Sequence, residues 1–379
     1  MTHSAADVCD YRTMVDDREW SAVGEQVRQV RLSMGMSQNE LARAVGLDRT
    51  MLAKVEAGTR RLDAFELLKL SSALGVSMDY LIEPKPEVLS RRSAQITEDS
   101  DSQVARSSQR LEIALTEWLR ELRQLISHGV LRSRPVLRYP GAVASEAQAR
   151  EAALWVRQQL GLGDGPIDSV VEVCERAGQF ILVTDVPGDG ASLVDGDVAA
   201  AVVSTTGDPG RRRATAAHEL GHLVIGDEYS SDLGVHASRA DREAAIDAFA
   251  AELLLPVSVL GGQQEVPGGL TRDRLVEVAA RYRVSWSLAL RQAVRSRLID
   301  TATRAAWSQS RPTHAEFMEA LGWAPQPDLF SVRVPPSYAH AVMEAWRGGW
   351  ITRVRAVELM HGQIAESDLP ESGELEIEP

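Results

Sequence analysis

The sequence predicts a multidomain chain: a small all-α unit, then a larger, mainly helical α+β domain with a small sheet, then a further helical region. Three observations carry this reading. The 379 residues exceed the roughly 100 to 200 of one typical domain. Short helical patterns with turn signals fill residues 22–82 until Pro84 and Pro86 stop them. Runs of β-branched and small apolar residues, QFILVT, GASLV and VAAAVVS, cluster between Gln179 and Ser204 and are separated by PGDG and DGD turns. That is the pattern of a short hairpin-containing sheet inside a helical surrounding.

Composition narrows the function classes. Hydrophobic residues are 44% and charged residues 25% of the chain, close to the soluble globular average, which excludes a wholly disordered, collagen-like or disulfide-scaffold protein. With Lys+Arg at 41 against Asp+Glu at 54, the formal charge is −13, so any nucleic-acid contact must be confined to a local basic face. Cys9 and Cys174 have no CxxC spacing, which fits a reducing cytosol and excludes thiolate metal clusters. No apolar run approaches the roughly 20 residues of a membrane span, and MTHSAADVCDYR has no signal-peptide core. The expectation is a soluble, cytoplasmic protein without a membrane partner.

In order along the chain, residues 1–20 read as a polar arm and 21–83 as the helical unit. Residues 84–110, rich in Ser, Asp, Gln and Arg, read as a linker or weakly ordered helix. Residues 111–144 form a connecting helical segment on which Leu111, Leu115, Trp118, Leu122 and Leu125 recur at steps of four and three. The stripe fits either a dimerising helix, which would make the protein a homodimer, or a helix folded back onto its own chain. The α+β domain spans 145–300, with Asp208 as N-cap and Pro209 at the first position of a helix that Gly226 ends. Helical patterns follow at Asp241 to Leu255 and Thr271 to Leu298. A helical region at 301–365 includes a pair at Tyr338 to Trp346 and Ile351 to Met360, and 366–379 reads as an acidic tail. Arg211 to Arg213 read as a solvated basic turn in preference to a guide for an acidic substrate.

The strongest chemical signal is AAHELGHLV, in which His218, Glu219 and His222 form HExxH on a predicted helix. Imidazoles at i and i+4 project from one face, so both can reach one zinc ion while Glu219 points at the open position. Zinc acidifies a bound water, and a neighbouring carboxylate can carry the proton from nucleophile to leaving amine. A third protein ligand is required. In DREAAIDAFAAELLLP, Glu243 and Asp247 share one helix face, which makes Glu243 the expected third ligand and Asp247 a hydrogen-bond partner for a ligand imidazole. Glu252, Asp227, Glu228 and His236 are alternatives for the third ligand. A hydrogen-bonded histidine pair without metal, or an idle zinc, is the competing structural reading.

In the first unit, Ser37 with Glu40 forms a capping box, and Leu41, Ala42 and Val45 supply the core face of a second helix before Gly46 turns the chain. Asp48 is expected to cap the next helix, with Met51, Leu52 and Val55 inward and Arg49, Thr50 and Lys54 outward, and Gly58 to end it. This is a helix-turn-helix. Five bases, Arg43, Arg49, Lys54, Arg60 and Arg61, lie around its exposed face.

Two resemblances follow from these residues. RRRATAAHELGHLVIGDE, followed by E-x-x-I-D-x-F-A-A-E-L-L-L-P, resembles the ImmA/IrrE family of zinc metallopeptidases, over roughly Glu146 to Ile299. The resemblance implies a zincin-like domain holding one zinc per chain through His218, His222 and Glu243, with Glu219 as base. MSQNELA, the ExG of Glu56 and Gly58, and ALGVSMDYL resemble the XRE, lambda-repressor-like family over Val23 to Ile82. That resemblance implies binding of double-stranded DNA, with Gln38 at a helix N-terminus near a phosphate and Arg49, Thr50 and Lys54 in the major groove. Together they imply a transcriptional regulator whose endopeptidase domain cleaves a regulatory protein, a repressor or antitoxin, in a stress or mobile-element response. The alternative is a transcription factor in which the metallopeptidase-like domain is a non-catalytic sensor or scaffold.

Overall fold

The computed structural model describes residues 20–83, 88–91, 103–226, 239–261, 270–322 and 328–369. The described residues form two compact units, the first made of 20–83 and 103–117, the second of 88–91 and 118–369.

The first unit is all-α. Helix α1 (20–33) is followed by α2 (Gln38–Val45), α3 (Arg49–Glu56), α4 (Ala64–Leu74) and α5 (Met78–Ile82), and by the start of α6 (Gln103–Ser127). Side chains satisfy the orphan N–H groups at the starts of these helices. Ser37 with Glu40 and Asp63 with Glu66 form capping boxes on α2 and α4, while Ser77 accepts from the Tyr80 N–H on α5. Gly46 ends α2 at φ 75°, a left-handed conformation that favours glycine. Val27, Leu41, Leu52, Leu70, Leu74 and Leu81 form the core, each burial contributing about 1.5–3 kcal/mol. Asp48 occupies the N-cap position of α3 but makes no side-chain capping bond. Met51, expected inward, is 41% exposed, and Glu56 is buried instead. Leu52, Val55 and Glu56 at i, i+3 and i+4 define the inner face of α3, which turns Met51 outward.

The second unit holds a sheet of four strands, β1 (Val88–Arg91), β2 (Gln179–Thr184), β3 (Gly190–Asp195) and β4 (Val198–Ser204), in the order β1-β3-β4-β2. β3 pairs antiparallel with both β1 and β4, whereas β2 runs parallel to β4. Part of the stretch expected to be a linker is therefore strand, and its last eight residues begin α6. Four residues are too few to show a strand period; β1 exists because β3 offers an edge to pair with.

Helices α7 (Glu146–Gln159), α8 (Val170–Arg176), α9 (Pro209–Ile225) and α10 (Arg239–Leu254) surround the sheet, with α9 lying on β3 and β4 and α10 packing on α7 and α9. Their apolar faces, including Val156, Val183, Val203, Leu220, Leu223, Phe249 and Leu253, make the main core. Gly221 permits the close crossing of α9 and α10: a Cβ there would lie 2.9 Å from Phe249 Cδ1 and 3.1 Å from Ile246 Cγ2. Downstream follow α11 (Val257–Gly261), α12 (Arg272–Tyr282), α13 (Trp286–Arg295), α14 (Thr301–Ser308), α15 (His314–Leu321), α16 (Pro336–Arg347) and α17 (Arg353–Leu359). The Tyr338 ring of α16 stacks at 4.5 Å, tilted, on Trp118 of α6, whose indole N–H donates to the Phe180 carbonyl.

Leu111, Leu115, Trp118, Leu122 and Leu125 are all buried within the chain, so this stripe is covered by the protein itself and offers no open seam to a second copy. Arg212 and Arg213, expected to be solvated, are buried. Arg213 pairs with Asp328, 115 residues away in sequence, and donates to the Ile167 carbonyl at 2.7 Å. Arg211 alone is exposed, paired with Asp189. Within the expected acidic tail, Glu366–Asp368 form a 3-10 turn and Leu369 is buried. Residues 1–19 of the expected arm and 370–379 of the tail lie outside the described residues.

Candidate metal centre and nucleic-acid interface

Helix α9 is held at both ends. Asp208 accepts from the Gly210 N–H, Pro209 sits where a missing N–H costs nothing, and Gly226 at φ 73° closes the last turn. Between them, His218, Glu219 and His222 are buried. The two imidazoles lie edge to face, with ring centroids 4.8 Å apart. His218 Nε2 is 3.1 Å from His222 Nε2 and 3.2 Å from Glu243 Oε2 of α10. The donor atoms of His218, His222 and Glu243 all lie within 4.8 Å of one another.

Two imidazole nitrogens and a carboxylate are an ordinary zinc donor set, and ligands at 2.0–2.1 Å on tetrahedral corners stand about 3.3 Å apart. The two short separations match that edge, so the residues fit a zinc ion. His218 Nδ1 lies 2.9 Å from Asp247 Oδ1. A proton held on Nδ1 by this carboxylate leaves the Nε2 lone pair turned to the centre.

Glu219 is fully buried, and its carboxylate accepts from the Ser192 hydroxyl at 2.7 Å. Ser192, itself buried on β3, ties the carboxylate to the sheet, while Gln179 of β2 donates to the Glu219 carbonyl. Gly190 leaves room beside the carboxylate: a Cβ there would stand 2.8 Å from Thr215 Cγ2 and 3.2 Å from Glu219 Oε1. Sequence reasoning missed Ser192, Gln179 and Gly190, because a lone serine or glycine in an apolar strand carries no chemical spacing. Gly221 was legible only as a part of HELGH.

Of the alternative third ligands, Glu252 is engaged elsewhere. It accepts from the Val257 N–H at 3.0 Å and from Gln292 Nε2 at 3.1 Å, and burial raises its pKa above the usual carboxylate value. Asp227, Glu228 and His236 lie outside the described residues. Beside Asp247 a cavity of about 450 Å³ opens between α7, α10, α13 and α14, with Arg150, Arg291, Arg295 and Arg304 on its walls.

On the first unit, Arg49, Thr50 and Lys54 are exposed on one helix, α3. Gln38 is half-buried at the start of α2, and its amide donates to Glu56 Oε2 at 2.8 Å. Glu56 also receives two bonds from Arg31, at 2.6 and 2.9 Å. This buried triad joins α1, α2 and α3 and was not visible in the sequence, where Arg31 looks like one more surface base. Arg60 pairs with Glu66 at 2.6 Å, and that bond raises its pKa further.

Comparisons with known proteins match both regions of the chain. A helix-turn-helix family model matches residues 27–81, and the model described as the IrrE N-terminal-like domain, a peptidase family, matches residues 178–293. The control protein C.BamHI of Bacillus amyloliquefaciens is 43% identical over 61 residues, 16% of this chain and 75% of that protein. A prophage-derived uncharacterized helix-turn-helix transcriptional regulator, YonR, of Bacillus subtilis is 40% identical over 60 residues, covering 16% of this chain and 56% of its own. A hypothetical transcription factor of Neisseria meningitidis is 37% identical over 75 residues, 20% of this chain and 71% of that protein. No solved structure matches the chain. Fold and site thus define a helix-turn-helix protein with a peptidase-type domain. The chain belongs to the XRE-type helix-turn-helix family and carries an ImmA/IrrE-like domain downstream of that motif. Among the described residues no helix is long and apolar enough to cross a membrane.

Proposed function

We infer that the protein is a cytoplasmic transcriptional regulator that binds double-stranded DNA through residues 21–83 and, through the domain at 145–300, is a zinc endopeptidase. Its substrate is a regulatory protein, a repressor or antitoxin, cut in response to stress or a mobile element. The observation that carries the peptidase reading is the convergence of His218, His222 and Glu243 at zinc-ligand separations, with Glu219 beside them.

A zinc ion held there supplies Lewis acidity, polarising a carbonyl and lowering the pKa of water. The chain's residues do the rest. Asp247 orients His218 and raises its basicity. Glu219 Oε2 accepts a proton from the attacking water and returns it to the leaving amine, exchanging its Ser192 bond as it does so. On the DNA side, Arg49, Thr50 and Lys54 contact bases or phosphates in the major groove, and a homodimer would present two such helices to two half-sites.

Glu219→Gln tests the reading. Loss of regulatory output with zinc content, fold and DNA binding intact supports proteolysis. Unchanged output leaves the domain as a sensor or scaffold, a reading to which the complete burial of Glu219 lends support.

A further inference from the structure

The cavity beside Asp247 has walls that the proposed reaction does not use. Ala244, Ala248 and Ala251 of α10 line it at steps of four and three, and side chains this short leave about 450 Å³ open between α7, α10, α13 and α14. Sites for small molecules run from about 300 to 1,000 Å³, so the space is larger than a lone ion needs. Among the described residues, four guanidinium groups stand around it, Arg150 of α7, Arg291 and Arg295 of α13 and Arg304 of α14, against two carboxylates, Glu146 and Asp247. In a chain of formal charge −13, this local excess of base runs against the overall balance.

The two carboxylates do not neutralise the four bases. Glu146 serves two of them, pairing with Arg295 and standing 3.6 Å from Arg150. Asp247 holds His218 Nδ1 at 2.9 Å. Among the described residues, the guanidinium groups of Arg291 and Arg304 make no ion pair or hydrogen bond. One exposed arginine of this kind is ordinary. Cations brought from three helices to one concavity are different, because their fields add there and concentrate a counter-ion. A phosphate ester carries up to two negative charges and three acceptor oxygens, enough to engage both unpaired guanidinium forks, whereas a carboxylate has the charge and oxygens for one.

We propose that this cavity binds a phosphorylated small molecule, with its phosphate at Arg291 and Arg304 and its organic part on the alanine face of α10, and that occupancy tightens zinc at the neighbouring centre. The link is Asp247, which stands on the cavity wall and orients His218. Negative charge brought up beside this carboxylate favours a cation across the imidazole, and by linkage zinc tightens the anion by the same factor. The binding stands apart from the peptidase reading; only the coupling rests on the zinc which that reading requires. Arg291 and Arg304 are exposed, so salt screens the interaction, and the coupling belongs at the low end of the usual range, about fivefold.

The test is isothermal titration calorimetry on the full-length protein, metal-free and zinc-loaded, in low-salt buffer. The probes are inorganic phosphate, ribose 5-phosphate, glucose 6-phosphate, AMP and GMP, with adenosine as the unphosphorylated control. At least one ester should bind with a Kd below about 1 mM and more tightly than inorganic phosphate. Arg291→Gln and Arg304→Gln, which have no internal partner to strand, should each weaken it about tenfold. Arg347→Gln, which removes an exposed base of α16 outside the cavity wall, should leave it within about twofold. No ester bound, inorganic phosphate bound as tightly as every ester, or equal losses in all three variants overturns the proposal. Binding that needs zinc and survives Arg291→Gln places the anion on the metal and overturns it too. Zinc affinity is then read by competition with a chromophoric chelator calibrated in the same ester, and a fivefold rise in the parent, absent in Arg291→Gln, is expected. Unchanged zinc affinity in the ester-saturated parent overturns the coupling, whereas a chain that binds the ester and no zinc overturns the metal reading and leaves the anion site standing.

Discussion

Asp247→Ala should weaken zinc binding without abolishing it. Asp247 touches the centre only through His218, by a contact of 2.9 Å to Nδ1. Removing a partner of this kind costs 10- to 100-fold in metal affinity, about 1.4–2.7 kcal/mol. The Asp247 side chain is 44% exposed, so water can replace part of its interaction, and the expected loss lies near the tenfold end. Glu243→Ala removes a donor atom itself and should lose considerably more. Asp247→Asn keeps an accepting oxygen opposite Nδ1 without the charge and should fall between the parent and Asp247→Ala. The assay is competition against a chromophoric zinc chelator at pH 7.5, with helicity checked for each variant. The reasoning fails if Asp247→Ala binds zinc within twofold of the parent, or as weakly as Glu243→Ala. The first would mean that His218 needs no orienting carboxylate, the second that Asp247 is itself a ligand.

In the first unit, Glu56→Ala strands the buried Arg31 guanidinium and should destabilise that unit by about 3–5 kcal/mol, read as an earlier urea transition with zinc binding unaffected. Lys54→Ala should weaken DNA binding and reduce the slope of log K against log salt by about one if Lys54 meets a phosphate; an unchanged slope at several salt concentrations removes it from the interface. Gly221→Ala forces a Cβ to 2.9 Å from Phe249, so it should cost about 1–3 kcal/mol by overpacking and lower zinc affinity as α10 is pushed away; loss of neither would contradict the tight crossing. The Glu316 carboxyl is depressed to about 2, first by the Thr313 backbone N–H and then by Arg272. Because the folded value lies below the ordinary 4.5, its stabilisation is present above that pH and is lost as pH falls towards 2. Glu316→Gln should accordingly lower Tm at pH 7, with the difference shrinking below about pH 4.5; a difference independent of pH would refute the assignment.

What the sequence revealed of the site was governed by spacing along a single helix. His218, Glu219 and His222 sit on one helix, and Glu243 with Asp247 sits one turn apart on another, so period and chemistry were both readable before any fold was known. Ser37, Gly46 and Gly226 likewise announced helix ends, because capping is a local event. Contacts made at long range were not readable. Nothing near Arg213 signals that Asp328 waits 115 residues on, so a run of three arginines read as solvated. Glu56 was recognised as part of a motif, but its burial against Arg31 depends on how α1 crosses α3, which no period encodes. β1 was missed for a related reason: a strand of four residues is defined by its neighbour, and the neighbour is about a hundred residues downstream.

These long-range contacts are also what give the centre its shape. A helix alone fixes the spacing of His218 and His222, but not where the third donor comes from or which way Glu219 faces. The first depends on Gly221, which lets α10 approach until Glu243 Oε2 stands 3.2 Å from His218 Nε2. The second depends on β3, whose Ser192 fixes the Glu219 carboxylate, and on Arg213, which anchors α9 through Asp328 and Ile167 at its N-terminal half. Substituting Asp328 would leave every donor atom in the chain yet uncover a buried guanidinium beneath the helix that carries two of them. The donor set is therefore written in two helices, while the precision a metal centre needs comes from their supports. Asp328→Ala should lower thermal stability and zinc affinity together, whereas Asp247→Ala should lower zinc affinity with little change in Tm of the metal-free protein. A metal-free Tm that falls equally in both would mean that Asp247 supports the fold and not the centre.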